Sequence, residues 1–129
     1  MIESQYTQAV HKHLPNDIYR WKINDSFQGG VPDAYYSGTN GDLWVEYKYL
    51  KSLPKRASTQ IVPALRTLQM KWLRERYFEG RNVAVIIGSP SGSILLLRPE
   101  EWTDGISREE FEARSLSKPE IAKWIKSQC

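Results

Sequence analysis

The stretch from 31 to 50, VPDAYYSGTNGDLWVEYKYL, constrains the fold of this chain more than any other. Val31 to Ser37 and Leu43 to Leu50 are rich in Val, Tyr and Trp, and Gly38-Thr39-Asn40-Gly41-Asp42 separates them, which predicts a β-hairpin. Side chains alternate along a strand, so Glu46 and Lys48 fall on one face. A two-residue turn at Asn40-Gly41 sets Thr39 against Asp42. Counting outward from there places Asp33 opposite Lys48, with Glu46 on the neighbouring diagonal. An odd-length loop without a bulge would instead turn Asp33 to the other face.

Two carboxylates and an ammonium converging on one face are costly as mere packing, because charges withdrawn from water need partners. A divalent cation is such a partner. Mg²⁺ takes hard oxygen ligands at about 2.1 Å and keeps several waters, so Asp33, Glu46 and the backbone carbonyl of Tyr47 would suit it beside a phosphate. In that arrangement Lys48 orients a metal-activated water or neutralises charge developing in the transition state.

Pro32-Asp33, a hairpin, then Glu46-Tyr47-Lys48 resembles the PD-(D/E)xK nuclease motif. The spacing is similar to that of archaeal Holliday-junction resolvases and small phage-type VRR nucleases. Gly30-Val31-Pro32-Asp33, the GDLWVEYK strand, a basic segment and a helix carrying Gln69 follow in the family's order, and the likeness spans about residues 1 to 97. It implies a restriction-endonuclease-like fold of the α/β (α+β) class, a mixed β-sheet flanked by helices. It also implies Mg²⁺, with Mn²⁺ able to substitute, and a homodimer acting on branched DNA. Related nucleases often carry Gln on the helix after the lysine strand, which gives Gln69 a supporting role. Their first helix often adds an acidic ligand, and Glu3 is the only carboxylate there; an acidic residue favouring the helix dipole explains Glu3 equally.

A length of 129 residues is that of one domain, with a core over about 1–97 and a helical extension over about 98–129. Hydrophobic residues make up 40% and charged residues 26%, which excludes a disordered class. Cys129 is the single cysteine, so no internal disulfide forms. No apolar run reaches membrane-spanning length and no signal-peptide pattern opens the chain, an expectation of a cytoplasmic protein. The net charge of +3 is small, but Lys48, Lys51, Lys55 and Arg56 cluster just after the acidic pair, with Arg66, Lys71, Arg74, Arg76 and Arg81 beyond. Lys51, Lys55, Arg56 and Arg76 are the candidate phosphate contacts.

Ile2, Tyr6, Ala9, Val10 and His13 recur at helical spacing before Pro15, predicting a first helix with His13 on its packed face. His11 and His13 lie on different helical faces, which disfavours a zinc pair. Ile18 to Ile23 reads as a strand, and Asp25, Ser26 and Gln28 follow in a loop that either meets substrate or serves turn chemistry. Pro63 suits the first turn of a helix that runs to about Glu79, with Leu65, Leu68, Trp72 and Leu73 as its apolar stripe and Gln69 inside it. Asn82 to Gly88 is a buried strand, and Ser89-Pro90-Ser91-Gly92 turns into a second hairpin. Ser107 with Glu110 and Ser117 with Glu120 are capping boxes for two short terminal helices.

The expectation is a divalent-metal-dependent DNA endonuclease with Asp33, Glu46, Lys48 and Gln69 at its centre, of resolvase type. The competing expectations are a general nicking or flap nuclease, a non-catalytic nucleic-acid binder, and an interaction domain docking through Trp102 and Trp124.

Overall fold

The computed structural model describes residues 1–24 and 29–129. The expectations for Asp25, Ser26 and Gln28 lie outside the described residues. In chain order the elements are α1 (Glu3–His11), β1 (Tyr19–Lys22), β2 (Ala34–Gly38), β3 (Gly41–Tyr49), β4 (Gln60–Ile61) and α2 (Thr67–Phe78). They continue with β5 (Val83–Ser89), β6 (Gly92–Leu96), α3 (Pro99–Asp104), β7 (Ile106–Ser107), α4 (Arg108–Arg114) and α5 (Lys118–Gln128).

Five strands form a mixed sheet in the order β1-β2-β3-β5-β6, parallel between β3 and β5 and antiparallel elsewhere. Alternation along the strands builds two cores. Tyr36, Val45, Tyr47, Ala84 and Ile86 face Tyr6 and Val10 of α1 and Ile121, Ala122 and Ile125 of α5. Val83, Val85, Ile87, Ile94 and Leu96 face Leu73 of α2, Trp102 of α3 and Phe111 of α4. Every residue of β5 is buried, as its unbroken apolar run anticipates for a strand covered on both faces. Glu46 and Lys48 alternate with Val45 and Tyr47, so they belong to the α2 side of the sheet.

The hairpin register differs from the sequence-based count. Gly38 pairs with Gly41, so Thr39-Asn40 is the turn in place of Asn40-Gly41. The C-terminus of α5 accounts for this choice. Asn40 N–H donates to the Cys129 carbonyl at 2.6 Å, and a Cβ at Gly38 would come within 2.7 Å of that same oxygen. The slip is by two residues along the partner strand, so the face of every side chain is preserved while its opposite number changes.

Further expectations are corrected. Helix α1 closes at His11, and tighter bonds from His13 N–H to Val10 and from Leu14 N–H to His11 wind the chain so that Leu14 is buried and His13 exposed. Helix α2 begins at Thr67, because Arg66 is extended (φ −70°, ψ 159°) and Leu65 N–H turns back to the Pro63 carbonyl at 2.8 Å. Leu68 is consequently 56% exposed and leaves the apolar stripe, where Gln69 and Leu73 are the buried positions. Ser117 and Glu120 form the full capping box of α5, whereas at α4 only the Ser107 half is made, its hydroxyl accepting Glu110 N–H. Trp102 is fully buried with its indole N–H on the Leu96 carbonyl at 2.7 Å, which removes it as a docking residue.

Candidate functional site

Asp33 immediately precedes β2, where its carbonyl accepts Ile23 N–H at 2.8 Å and holds the end of the strand to β1. Ala34 pairs with Val45, so continuing the ladder by one residue sets Asp33 opposite Glu46, and Lys48 falls on the diagonal. The three share a face as expected, with the two partners of Asp33 exchanged. Beyond the end of β2, Tyr47 N–H has lost its ladder acceptor and donates to Asp33 Oδ2 at 2.9 Å. In an antiparallel pair a residue directs its N–H and C=O to the same side, so the Tyr47 carbonyl also opens toward Asp33.

Glu46 is the electrostatic centre. It is 1% exposed, and its Oε2 receives Gln69 Nε2 at 2.8 Å and lies 3.3 Å from Lys48 Nζ. Its Oε1 is buried with no hydrogen-bond partner among the described residues. Burial first, then the charge of Asp33, pushes the Glu46 carboxyl up to about 8 against the opposing pull of Lys48. Asp33 is also raised, by burial, with the Tyr47 N–H and Lys48 opposing. Both carboxyls are thus raised, so the pair as a unit holds on to a proton to higher pH than free carboxyls do.

Gln69 owes its aim to the start of α2. It is the third residue of that helix, and its Oε1 turns back to accept Arg66 N–H at 2.9 Å, leaving Nε2 free to donate to Glu46. The late start of the helix is thus what brings the amide to the carboxylate. Gly30, at φ +94°, itself lies against the Leu68 carbonyl, where a Cβ would collide with backbone.

Glu3 lies at the first turn of α1 on the other side of the sheet, within electrostatic reach: burial first, then Asp33, raises its carboxyl, with Lys48 opposing. Among the described residues no three His, Cys, Asp or Glu side chains gather into a metal cage. The residues present nevertheless suit a hard, partly hydrated cation. A buried oxygen of Glu46 has no donor, a neighbouring carboxylate holds its pKa up, and a main-chain carbonyl opens beside both.

The segment after β3 is exposed at Lys51, Lys55 and Arg56 and is braced from below. Arg108 donates from its side chain to the Lys55 carbonyl at 2.5 Å and from its N–H to the Thr59 carbonyl at 2.9 Å, and Glu109 N–H reaches the Ala57 carbonyl at 2.9 Å. Arg76 is differently placed. Its guanidinium forms two 2.9 Å bonds to Glu79 and lies 5.4 Å over the Trp72 ring.

Sequence reasoning gave no role to two groups of residues. Trp21, Tyr35 and Trp44 stand side by side across β1, β2 and β3, and Trp44 shares the face of Glu46 two residues on. Strand parity in the hairpin was the signal for Trp44. On the opposite face, His11 Nε2, the Tyr36 hydroxyl and the Tyr47 hydroxyl form a chain with both distances 2.6 Å. Burial drives His11 down to about 4 and Tyr47 well above the usual phenol range.

No family model and no curated protein matches the chain. Its fold is that of a restriction-endonuclease-like domain, a mixed five-stranded sheet flanked by helices. A solved structure that shares it is Hjc, a Holliday junction resolvase from the archaeal hyperthermophile Archaeoglobus fulgidus. The two are similar at a TM-score of 0.53 and 18% identity over 93% of this chain and 99% of that one.

Proposed function

We propose that this chain is a divalent-metal-dependent DNA endonuclease that hydrolyses phosphodiester bonds in branched DNA, working as a homodimer. The observation that carries the reading is the buried Glu46 Oε1 beside Asp33, which has no hydrogen-bond partner among the described residues, with Lys48 Nζ 3.3 Å from the other oxygen of the same carboxylate. Asp33, Glu46 and the Tyr47 carbonyl would hold Mg²⁺ or Mn²⁺. The ion supplies a water of lowered pKa and charge neutralisation at the phosphate.

The chain's own residues do the positioning. Gln69 fixes the Glu46 carboxylate from one side, and Tyr47 N–H fixes Asp33 from the other. The Lys48 ammonium, partly exposed, is aimed at the space where the scissile phosphate sits and stabilises charge there. Glu3 would add negative potential from the far side of the sheet. Lys51, Lys55 and Arg56 hold the backbone of the DNA next to the site, on a loop ordered before the substrate arrives. Arg76 contributes less, because Glu79 already offsets its charge.

The resolvase subtype is supported by the likeness to Hjc. Two sites related by a two-fold axis would meet opposing strands of a junction. A non-catalytic binder is disfavoured by two adjacent carboxylates, Glu46 buried and Asp33 half-buried, which would repel a phosphate. Asp33→Asn separates these readings. Retained binding of a four-way junction with cleavage abolished supports the nuclease, and a native protein that binds but never cuts supports the binder.

A further inference from the structure

Next to the carboxylates the sheet carries a second surface feature that phosphodiester hydrolysis does not use. Trp21 pairs with Tyr35 and Tyr35 with Trp44 across three strands, and ring centroids of Tyr35 and Trp44 lie 4.5 Å apart. Trp72 of α2 closes the row at 5.2 Å from Trp44. Together with Ile23, Asn24, Lys22 and Val31, the three tryptophans line an open groove of about 590 Å³. Trp21, on the edge strand, is 48% exposed, and its neighbour Tyr19 59%. Solvated indole and phenol rings on an edge strand are poor packing residues and good stacking surfaces.

The neighbours of the groove narrow what it accepts. Trp44 and Glu46 are two residues apart on one face, about 7 Å along the strand, which is close to one nucleotide step from the carboxylates. Asn24 is exposed at the rim, with an amide able both to donate and to accept. Lys22 lines the groove, and Lys48 and the braced Lys51–Arg56 loop follow along and beyond β3 on the far side of the carboxylates from Trp44. Flat aromatic walls, an amide and nearby positive charge match an unpaired nucleobase whose own phosphates run toward the basic loop.

Resting on the nuclease reading above, we infer that Trp21, Trp44 and Trp72 form a stacking site for an unpaired or extruded base of the strand being cut. Substrate preference then has a physical origin. Branched DNA offers bases with exposed faces close to the cut, whereas an intact duplex must first unstack one. Trp21 is the accessible platform, with Trp44 and Trp72 forming the inner wall.

The test is binding in EDTA, so that it does not depend on cleavage. The probes are a short labelled oligothymidylate and an abasic strand with the same number of phosphates, read by fluorescence anisotropy. The native protein should bind the abasic strand about tenfold more weakly, as expected for the loss of stacked bases. Trp21→Ala should lose about tenfold on the thymidylate and little on the abasic strand, with an unchanged salt slope, and Trp21→Phe should retain most of the affinity. Equal native affinity for the two strands overturns the proposal, whatever the variants do. So does a Trp21→Ala protein that binds both strands as the native does but no longer self-associates, an outcome that assigns the groove to a second copy of the chain. Base-dependent binding without any cleavage keeps the stacking site and removes the nuclease reading.

Discussion

Gln69 holds Glu46 with one end of its amide and the start of its own helix with the other, donating to Oε2 at 2.8 Å and accepting Arg66 N–H at 2.9 Å. Local helix capping and the geometry of the acidic site are therefore one interaction. Gln69→Ala removes both bonds and leaves Glu46 less satisfied, and is expected to destabilise the fold by about 1–3 kcal/mol in chemical denaturation. Gln69→Glu separates the two roles. Its carboxylate still accepts Arg66 N–H but no longer donates to Glu46, so stability in acid is retained while cleavage at neutral pH falls by at least tenfold.

The hairpin explains how much of this was legible in the sequence. Alternation alone placed Asp33, Glu46 and Lys48 on one face, because a register error of two residues leaves parity intact. Which residue opposes Asp33 was set by α5, whose last carbonyl meets Asn40, a contact between positions too distant for any local pattern to encode. The same limit hid β4 and β7, two residues each, paired across some forty-five positions. Pro63 misled in another way: a proline suits a helix start but also an extended, buried connection, and it is the latter here. Periodicity read His13 as a core or interface residue, and the early close of α1 leaves it outside the core.

The raised carboxyl of Glu46 gives the metal-free protein a characteristic pH dependence. A folded-state pKa near 8 against an unfolded value of 4.5 means that the folded state binds the extra proton. That contribution to stability is complete below 4.5 and is lost as pH rises toward about 8. His11, lowered from 6.5 to about 4, acts in the opposite sense but only below 6.5. Between 6.5 and about 8, thermal melting in EDTA should therefore shift to lower temperature as pH rises, and Glu46→Gln should flatten the trend. Mg²⁺ should raise the melting temperature more at the upper end of this range, since it binds the ionised pair.

The phenol chain on the other face tests packing independently of catalysis. Tyr36 supplies the partner of the fully buried Tyr47 hydroxyl, so Tyr36→Phe strands that hydroxyl and should cost about 1–3 kcal/mol. Adding Tyr47→Phe removes the stranded group, and the double variant should be less destabilised than the sum of the single ones in urea titrations. A strictly additive result would show that the two hydroxyls are not coupled.

The braced basic loop predicts a salt effect of definite size. Replacing Lys51, Lys55 and Arg56 together by alanine should reduce the slope of log affinity against log salt by about 3 on duplex DNA. Arg76→Ala should change it by much less, because Glu79 holds that guanidinium. Duplex binding measured by anisotropy over a range of KCl concentrations supplies both slopes.

The central claim is that Asp33, Glu46 and Lys48 form a metal-dependent hydrolytic site for branched DNA. It is tested most directly by incubating matched labelled four-way junction and linear duplex with the protein in Mg²⁺, in Mn²⁺ and in EDTA, alongside Lys48→Ala. The account predicts paired cuts in the junction with either metal, none in EDTA, little cutting of the duplex, and a loss of about a hundredfold or more in the variant. A junction that is bound yet left intact with both metals, or one that Lys48→Ala cuts as fast as the native protein, would contradict it.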